Sequence, residues 1–270
     1  MTLVWTPGFN YDTNASTYID AVEVADGQAL ETATRYAIND FVIGCKNDGI
    51  WNAIKASCIL SGARTLAGAL IPLVGTAPTN FNFVSGDYNR KTGLVGNGTN
   101  KYLNSNLFVN ALSATDHALF AYGAITGNTG DKILMGYYDG VNPASLLDLV
   151  EWANYVSGRA FRSANFTGGQ FPVSTLTTSA TCIIGSRTSS TDATLFVDGV
   201  STTNNTSASL TLNAAPLYVF ALNVSNTASG FTPSRIQVYG IFSPGLTSTQ
   251  AAALRANTTA LINAFAAAIP

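Results

Sequence analysis

Through the middle of this chain, apolar and polar positions alternate in short runs, each closed by turn-forming residues. Thr194-Leu195-Phe196-Val197 leads into Asp198-Gly199 and resumes as Val200-Ser201-Thr202. Asp-Gly accepts the positive backbone φ of a two-residue hairpin, so the segment reads as strand, tight turn, strand. Residues 133–138 run into Asp139-Gly140 in the same way. Further strands are predicted over 57–60, 81–84, 101–103, 181–185 and 217–222. Residues 118–125 are apolar on both faces of a strand, which predicts a central strand covered on both sides. Residues 235–240 alternate, as a half-buried strand does. This succession describes a mainly β fold, a sandwich.

The period changes at both ends. Tyr18, Val22 and Ala25 share a helical face, and Thr17 with Asp20 has the spacing of a capping box. Past Gly27, Leu30, Ala33 or Thr34, Ala37, Ile38, Phe41 and Val42 continue at helical spacing until Asn47-Asp48-Gly49. Residues 50–54 predict a short helical turn or two, with Trp51 as a core anchor. Thr247 and Gln250 frame a second capping box, ahead of a stripe of Leu254, Thr258, Leu261, Ile262 and Phe265. Residues 1–15 have no period. Their aromatics, Trp5, Phe9 and Tyr11, suit an arm docked on its own domain or on a partner. The expected organisation is an arm over 1–15, a helical lead-in over 16–55, a jelly-roll sandwich over 56–245 and a packed C-terminal helix over 246–270.

Composition narrows the function. Only 10% of the 270 residues are charged, against about 25% in ordinary domains. Ser, Thr, Asn and Gly form the surface instead, and a surface so poorly charged predicts burial against neighbouring subunits. The net charge of −2 leaves no basic stripe, which argues against nucleic-acid binding. The apolar stretch 66–74 is interrupted by Gly68 and Pro72 and is too short to cross a bilayer. Residues 1–9 show neither the basic nor the apolar part of a secretory leader. The three cysteines, Cys45, Cys58 and Cys182, make no pairing framework and are expected to be buried free thiols. The Asn-x-Ser/Thr sequons arise by chance in a chain so rich in those residues.

Candidate chemistry is sparse. The single histidine, His117, stands at the start of an apolar strand without a Gly-x-Ser-x-Gly elbow, and reads as a satisfied structural residue. Glycosidases of sandwich type place two or three acids on one strand face. Here Asp148 and Glu151 are three apart, which points them to opposite faces, so no catalytic residue is assigned. No metal site is expected either. Calcium, if bound, would use loop oxygens at Asp139, Asn142, Asp192 and Asp198, although the simpler role of these residues is turn formation. Sugars need an aromatic plate with amides or carboxylates beside it. Tyr137, Tyr138 and Asp139, and Trp152 with Asn154 and Tyr155, are the best-equipped segments, and the competing reading puts half of these aromatics in the core or a subunit contact.

Residues 79–245 resemble the concanavalin A/laminin G type of sandwich. The block 48–60, continued by 65–73 and 82–94, resembles virion proteins of tailed bacteriophages, in which a helical lead-in precedes a concanavalin A-like jelly roll. Asn97-Gly98-Thr99-Asn100-Lys101-Tyr102-Leu103 and the hairpin 195–200 are similar to later parts of the same proteins, so the resemblance spans roughly residues 20–265. It implies a structural or receptor-facing virion part: a tail fibre, head fibre or decoration protein that self-assembles, contacts other virion proteins and binds host-surface glycan or simply covers the particle. Assembly in host cytoplasm and release by lysis fit the free thiols and the absent leader. The alternatives are a carbohydrate-active enzyme or a free lectin on the same sandwich.

Overall fold

Asp12 starts the first helix. Its carboxylate accepts from the Asn14 amide, and helix α1 runs Thr13–Asp26, closed by Gly27 at φ 65°. Thr17 is therefore not the cap; its hydroxyl donates to the Thr13 carbonyl inside the helix. Helix α2 (Thr32–Asn47) follows, tied to α1 by Arg35 on Glu23 at 2.7 Å. The computed structural model describes residues 10–125, 132–140, 146–152, 158–163, 172–174, 179–205 and 211–270.

In chain order the strands are β1 (Ile54–Ile59), β2 (Pro72–Val74), β3 (Thr79–Phe81), β4 (Tyr88–Asn89), β5 (Gly93–Val95), β6 (Tyr102–Phe108), β7 (His117–Ile125), β8 (Lys132–Tyr138) and β9 (Leu146–Trp152). They continue as β10 (Gly158–Ser163), β11 (Val173–Ser174), β12 (Ala180–Arg187), β13 (Asp192–Val197), β14 (Val200–Asn205), β15 (Pro216–Val219), β16 (Leu222–Val224), β17 (Thr227–Ser229) and β18 (Arg235–Phe242). The short helix α3 (Leu66–Ala69) lies between β1 and β2, and α4 (Ser248–Ala268) closes the chain behind the Thr247–Gln250 capping box.

Two sheets form. One has the order β14-β13-β12-β7-β18-β1-β2 with β5 and β4 attached to β18. The other has the order β11-β10-β9-β8-β15-β6-β3, with the β16–β17 hairpin on β8. Pairing is antiparallel except between β16 and β8. The architecture is the expected one: a mainly β, jelly-roll type sandwich with helices at both ends.

Alternation along β7 explains the layering. Leu119, Ala121 and Ile125 point to the space between the sheets, with Leu147, Leu149, Phe161, Leu195 and Ile241. Ala118, Phe120 and Tyr122 point the other way, onto Ile38, Phe41, Leu254, Leu261 and Phe265 of α2 and α4. The central strands of the first sheet, β12, β7, β18 and β1, are thus buried on both faces, and we call it the helix-backed sheet. Burying a side chain such as Phe120 or Ile184 contributes about 2 kcal/mol, so this layer carries much of the stability. The predicted double coverage of 118–125 is what the chain shows. In β18 the half-buried expectation fails: from Val238 on every residue is buried, because the strand lies between β7 and β1. Other strands end early at residues with positive φ. Asn82 (φ 68°) stops β3, and Phe220 (φ 70°) stops β15.

The three thiols are buried, and burial pushes each up to about 12. Trp51 is half-buried against the helical core, with the Lys46 ammonium 5.4 Å from its ring centre. Among the described residues no helix is long and apolar enough to cross a membrane.

His117 joins the sheets. Its Nδ1 lies 2.6 Å from the Ser113 carbonyl and its Nε2 2.8 Å from Ser163 Oγ on β10. In the neutral ring the Nδ1 proton is donated to the carbonyl, and the serine hydroxyl donates to Nε2. Arg187, the cross-strand neighbour of His117, donates to the Ser163 carbonyl at 3.0 Å. Burial lowers the imidazole pKa from 6.5 to about 4, with Arg187 adding to the effect. A histidine depressed in the fold contributes stability above its unfolded pKa and loses it as pH falls through the window between the two values. Stability should therefore drop by about 3 kcal/mol between pH 6.5 and pH 4. Urea denaturation at stepped pH measures this, and His117→Gln, which removes the only histidine, should flatten the slope above pH 5.

Candidate functional site

Because α2 and α4 occupy the outer face of the helix-backed sheet, the outer face of the second sheet is the broad β surface on which no helix packs among the described residues. Its strands alternate as β7 does. Leu103 and Ser105 of β6 are buried inward, which turns Tyr102 and Asn104 outward. Phe81 pairs with Tyr102 across β3–β6, and their rings stack at 4.4 Å and 4°. Tyr218 of β15 lies 4.7 Å beyond Tyr102, and Phe231 flanks it at 6.1 Å. The row follows the strand spacing of about 4.8 Å, so the rings stand side by side across three strands. Phe81, on the edge strand, is 37% exposed and Tyr102 is half-buried, whereas Tyr218 is buried at 6% and backs the row. Burial pushes both Tyr102 and Tyr218 phenols up, so they remain neutral hydroxyls at ordinary pH.

Beyond the row, the same face holds a cavity of about 280 Å³. Ile133, Tyr138, Leu146, Arg162, Leu222, Ser229 and Gly230 line it. Leu222 reaches over Gly136, where an added Cβ would lie 2.8 Å from its Cδ1 and 2.3 Å from the Asp148 Cβ. Asp148 is fully buried beneath, paired with Arg162 through both carboxylate oxygens, one of them 2.8 Å from Arg162 Nε. The pair neutralises itself, so the cavity presents apolar walls, a phenol and a hydroxyl with little net charge.

The structure separates the candidate residues. Tyr138 faces outward and lines the cavity. Tyr137 does not: one position earlier on β8 it points between the sheets and is 1% exposed, so its ring is core and offers no plate. Asp139 sits at the end of β8, accepting from Asn213 Nδ2 at 3.2 Å, while its carbonyl accepts from Ser225 Oγ. Trp152 ends β9, but its side chain lies outside the described residues, as do Asn154 and Tyr155. Trp5 and Phe9 lie outside them too. Tyr11 is described, and it docks on its own chain, 5.9 Å from Tyr36 of α2, beside an Asp12 amide that donates to Asn39 Oδ1.

Among the described residues no group of three His, Cys, Asp or Glu could hold a metal ion. The Asp198 carboxylate is taken by the Thr181 and Cys182 amides, at 3.0 and 2.8 Å, and Asp192 accepts from Ser189 Oγ. These two acids hold their turns, and Asn142 lies outside the described residues. The aromatic row was missed in the sequence reading. The alternation Tyr102-x-Asn104-x-Asn106 was its visible signal, but only the strand order puts Phe81 and Tyr218 beside it.

No protein-family model matches this chain, and no curated protein matches it in sequence. In structure it is similar to a mutant Trypanosoma rangeli sialidase displaying trans-sialidase activity, over 83% of this chain and 39% of that one (11% identity, TM-score 0.47). Domains LG4-5 of the mouse laminin alpha1 chain align over 66% and 47% (15% identity, TM-score 0.38). The CBM40 of a Ruminococcus gnavus IT-sialidase, bound to alpha2,3 sialyllactose, aligns over 52% and 80% (12% identity, TM-score 0.38). The chain spans about a quarter (26%) of the length of the Streptococcus pneumoniae NanB sialidase it also matches. Likeness this distant assigns neither ligand nor reaction to the chain.

The Asp148–Arg162 pair is the stabilising floor of the cavity. Arg162→Leu removes the guanidinium from which both oxygens of the buried Asp148 carboxylate accept and should cost about 3 kcal/mol in chemical denaturation, whereas Asp148→Asn combined with Arg162→Leu should recover more than half of that.

Proposed function

We propose that this chain is a non-enzymatic glycan-binding component of a tailed-phage virion, a fibre or decoration protein that presents its open sheet to the outside. The observation that carries the glycan reading is the aromatic row of Phe81, Tyr102 and Tyr218 running toward a neutral cavity with Tyr138 at its wall. Sugars offer apolar C–H faces and hydroxyl rims, and aromatic rings beside hydroxyl and amide groups match both. The burial of Asp148 and its pairing with Arg162 support binding without hydrolysis, since a carboxylate so held neither donates a proton nor attacks.

The virion part of the proposal rests on the resemblance of residues 48–60, 65–73 and 82–94, and on a surface with little charge. Exposed Val84 and Phe108 on the open-sheet side support self-association within a particle. The N-terminal arm would make the attachment, with Trp5 and Phe9 as its anchors.

A glycan array with the whole chain, repeated with a chelator, tests the first part. We expect chelator-insensitive binding to at least one glycan, with Phe81→Ala and Tyr138→Ala each weakening it about tenfold by calorimetry. Silence on the array, unchanged affinity in both variants, or cleavage of the bound glycan would overturn it. Immunogold labelling of purified particles of the encoding phage tests the second part. Gold on a fibre or an ordered array on the head is expected, and unlabelled particles would refute it.

A further inference from the structure

At the end of the helical layer, a separate pocket of about 450 Å³ lies between the start of α3, β4 and the turn before β5. Arg64, Arg90 and Lys91 line it, three of only thirteen lysines and arginines in the chain. Ser85, Tyr88 and Asn89 add to its polar wall, while Leu66, Ile269 and Pro270 give it an apolar side.

The carboxylate and amide side-chain oxygens around this pocket are already occupied. Both Glu31 oxygens accept from Arg90, at 3.1 and 2.7 Å, and one also lies 3.1 Å from Arg64 Nη2. Asp26 accepts from the Arg64 and Thr65 amides and the Thr65 hydroxyl. Asn89 Oδ1 accepts from the amides of Lys91 and Thr92. What remains uncommitted among the described residues is the Lys91 ammonium, Arg64 Nη1, Asn89 Nδ2 and the Ser85 hydroxyl. Every one of these can donate, and three of the four can do nothing else. Hydrogen bonds from Arg90 bring the Glu31 carboxyl down to about 2 against the opposing effect of burial, so it stays ionised and holds the guanidinium in place.

A wall of donors selects a ligand that only accepts. We propose that this pocket binds a tetrahedral oxyanion, a phosphate or sulfate monoester, whose three terminal oxygens meet Lys91, Arg64 and the Ser85–Asn89 pair while its organic body lies along Leu66 and Ile269. A carboxylate, with two oxygens in one plane, leaves part of the donor set unmet. The site shares no residue with the open sheet, so it stands or falls independently of the glycan reading.

The test is isothermal titration of the whole chain with inorganic phosphate, inorganic sulfate, acetate and chloride at matched ionic strength. Phosphate or sulfate should saturate one site, and acetate and chloride should not. Lys91→Gln should weaken the oxyanion about tenfold, and Ser85→Ala about threefold. Among the described residues neither side chain makes a hydrogen bond or ion pair, so both variants should melt at the wild-type temperature. Lys132→Gln, on the open sheet, should bind phosphate and sulfate as the wild type does. Absence of saturation, an equal response to acetate or chloride, or unchanged binding in Lys91→Gln would each overturn the proposal.

Discussion

Burial of one sheet on both faces is the constraint from which the rest of this structure follows. A strand covered on both sides can carry almost no charge, and β7 accordingly reads His-Ala-Leu-Phe-Ala-Tyr-Gly-Ala-Ile. The helices that cover it need apolar stripes of their own, which α2 and α4 supply through Phe41, Leu254, Leu261 and Phe265. Close packing leaves little tolerance: a Cβ on Gly62 would lie 2.6 Å from the Phe265 ring, and one on Gly185 would lie 2.2 Å from Phe161 across the sandwich. With one sheet committed in this way, the outer face of the other becomes the surface on which recognition can be built.

The few polar groups placed inside this apolar frame carry more than their number suggests. His117, Ser163 and Arg187 sit where the sheets meet, and each polar atom on His117 has a partner. Asp148 and Arg162 lie on the other side of the open sheet, under the cavity. Both sets are expensive to half-remove, because a buried group deprived of its partner keeps its desolvation cost. One fixes how the sheets face each other, and the other fixes the floor of the candidate site. Register and site geometry are therefore set by polar contacts, while stability comes from apolar burial.

Local signals in the sequence were strong where one segment decides its own structure. The Thr247–Gln250 capping box, the Asn47-Asp48-Gly49 helix stop and the Asp198-Gly199 turn each depend on residues within four positions, and each forms as read. The Thr17 cap failed because Asp12 competes for the same role and lies one turn earlier. Tyr137 failed for a subtler reason. Two adjacent tyrosines on a strand must face opposite ways, but which one faces the core depends on the partner strands β9 and β15. The aromatic row is illegible in principle from one sequence, since Tyr218 lies more than a hundred residues beyond Phe81 and Tyr102 and the three meet only through the strand order.

The two candidate sites then differ in kind, and the difference follows from where charge is allowed. On the open sheet Asp148 and Arg162 are spent on each other beside the cavity, leaving phenols, amides and ring faces, which suit uncharged hydroxyl-bearing ligands. At the end of the helical layer the acids are saturated by backbone and guanidinium donors, so the remaining lysine and amide protons outnumber the acceptors. A chain with so few charges cannot produce such an imbalance by scattering them. Glu31 holds the Arg64 and Arg90 guanidiniums and Asp26 the Arg64 amide, and it is this fixing, rather than the count of cations, that aims the donors of the pocket.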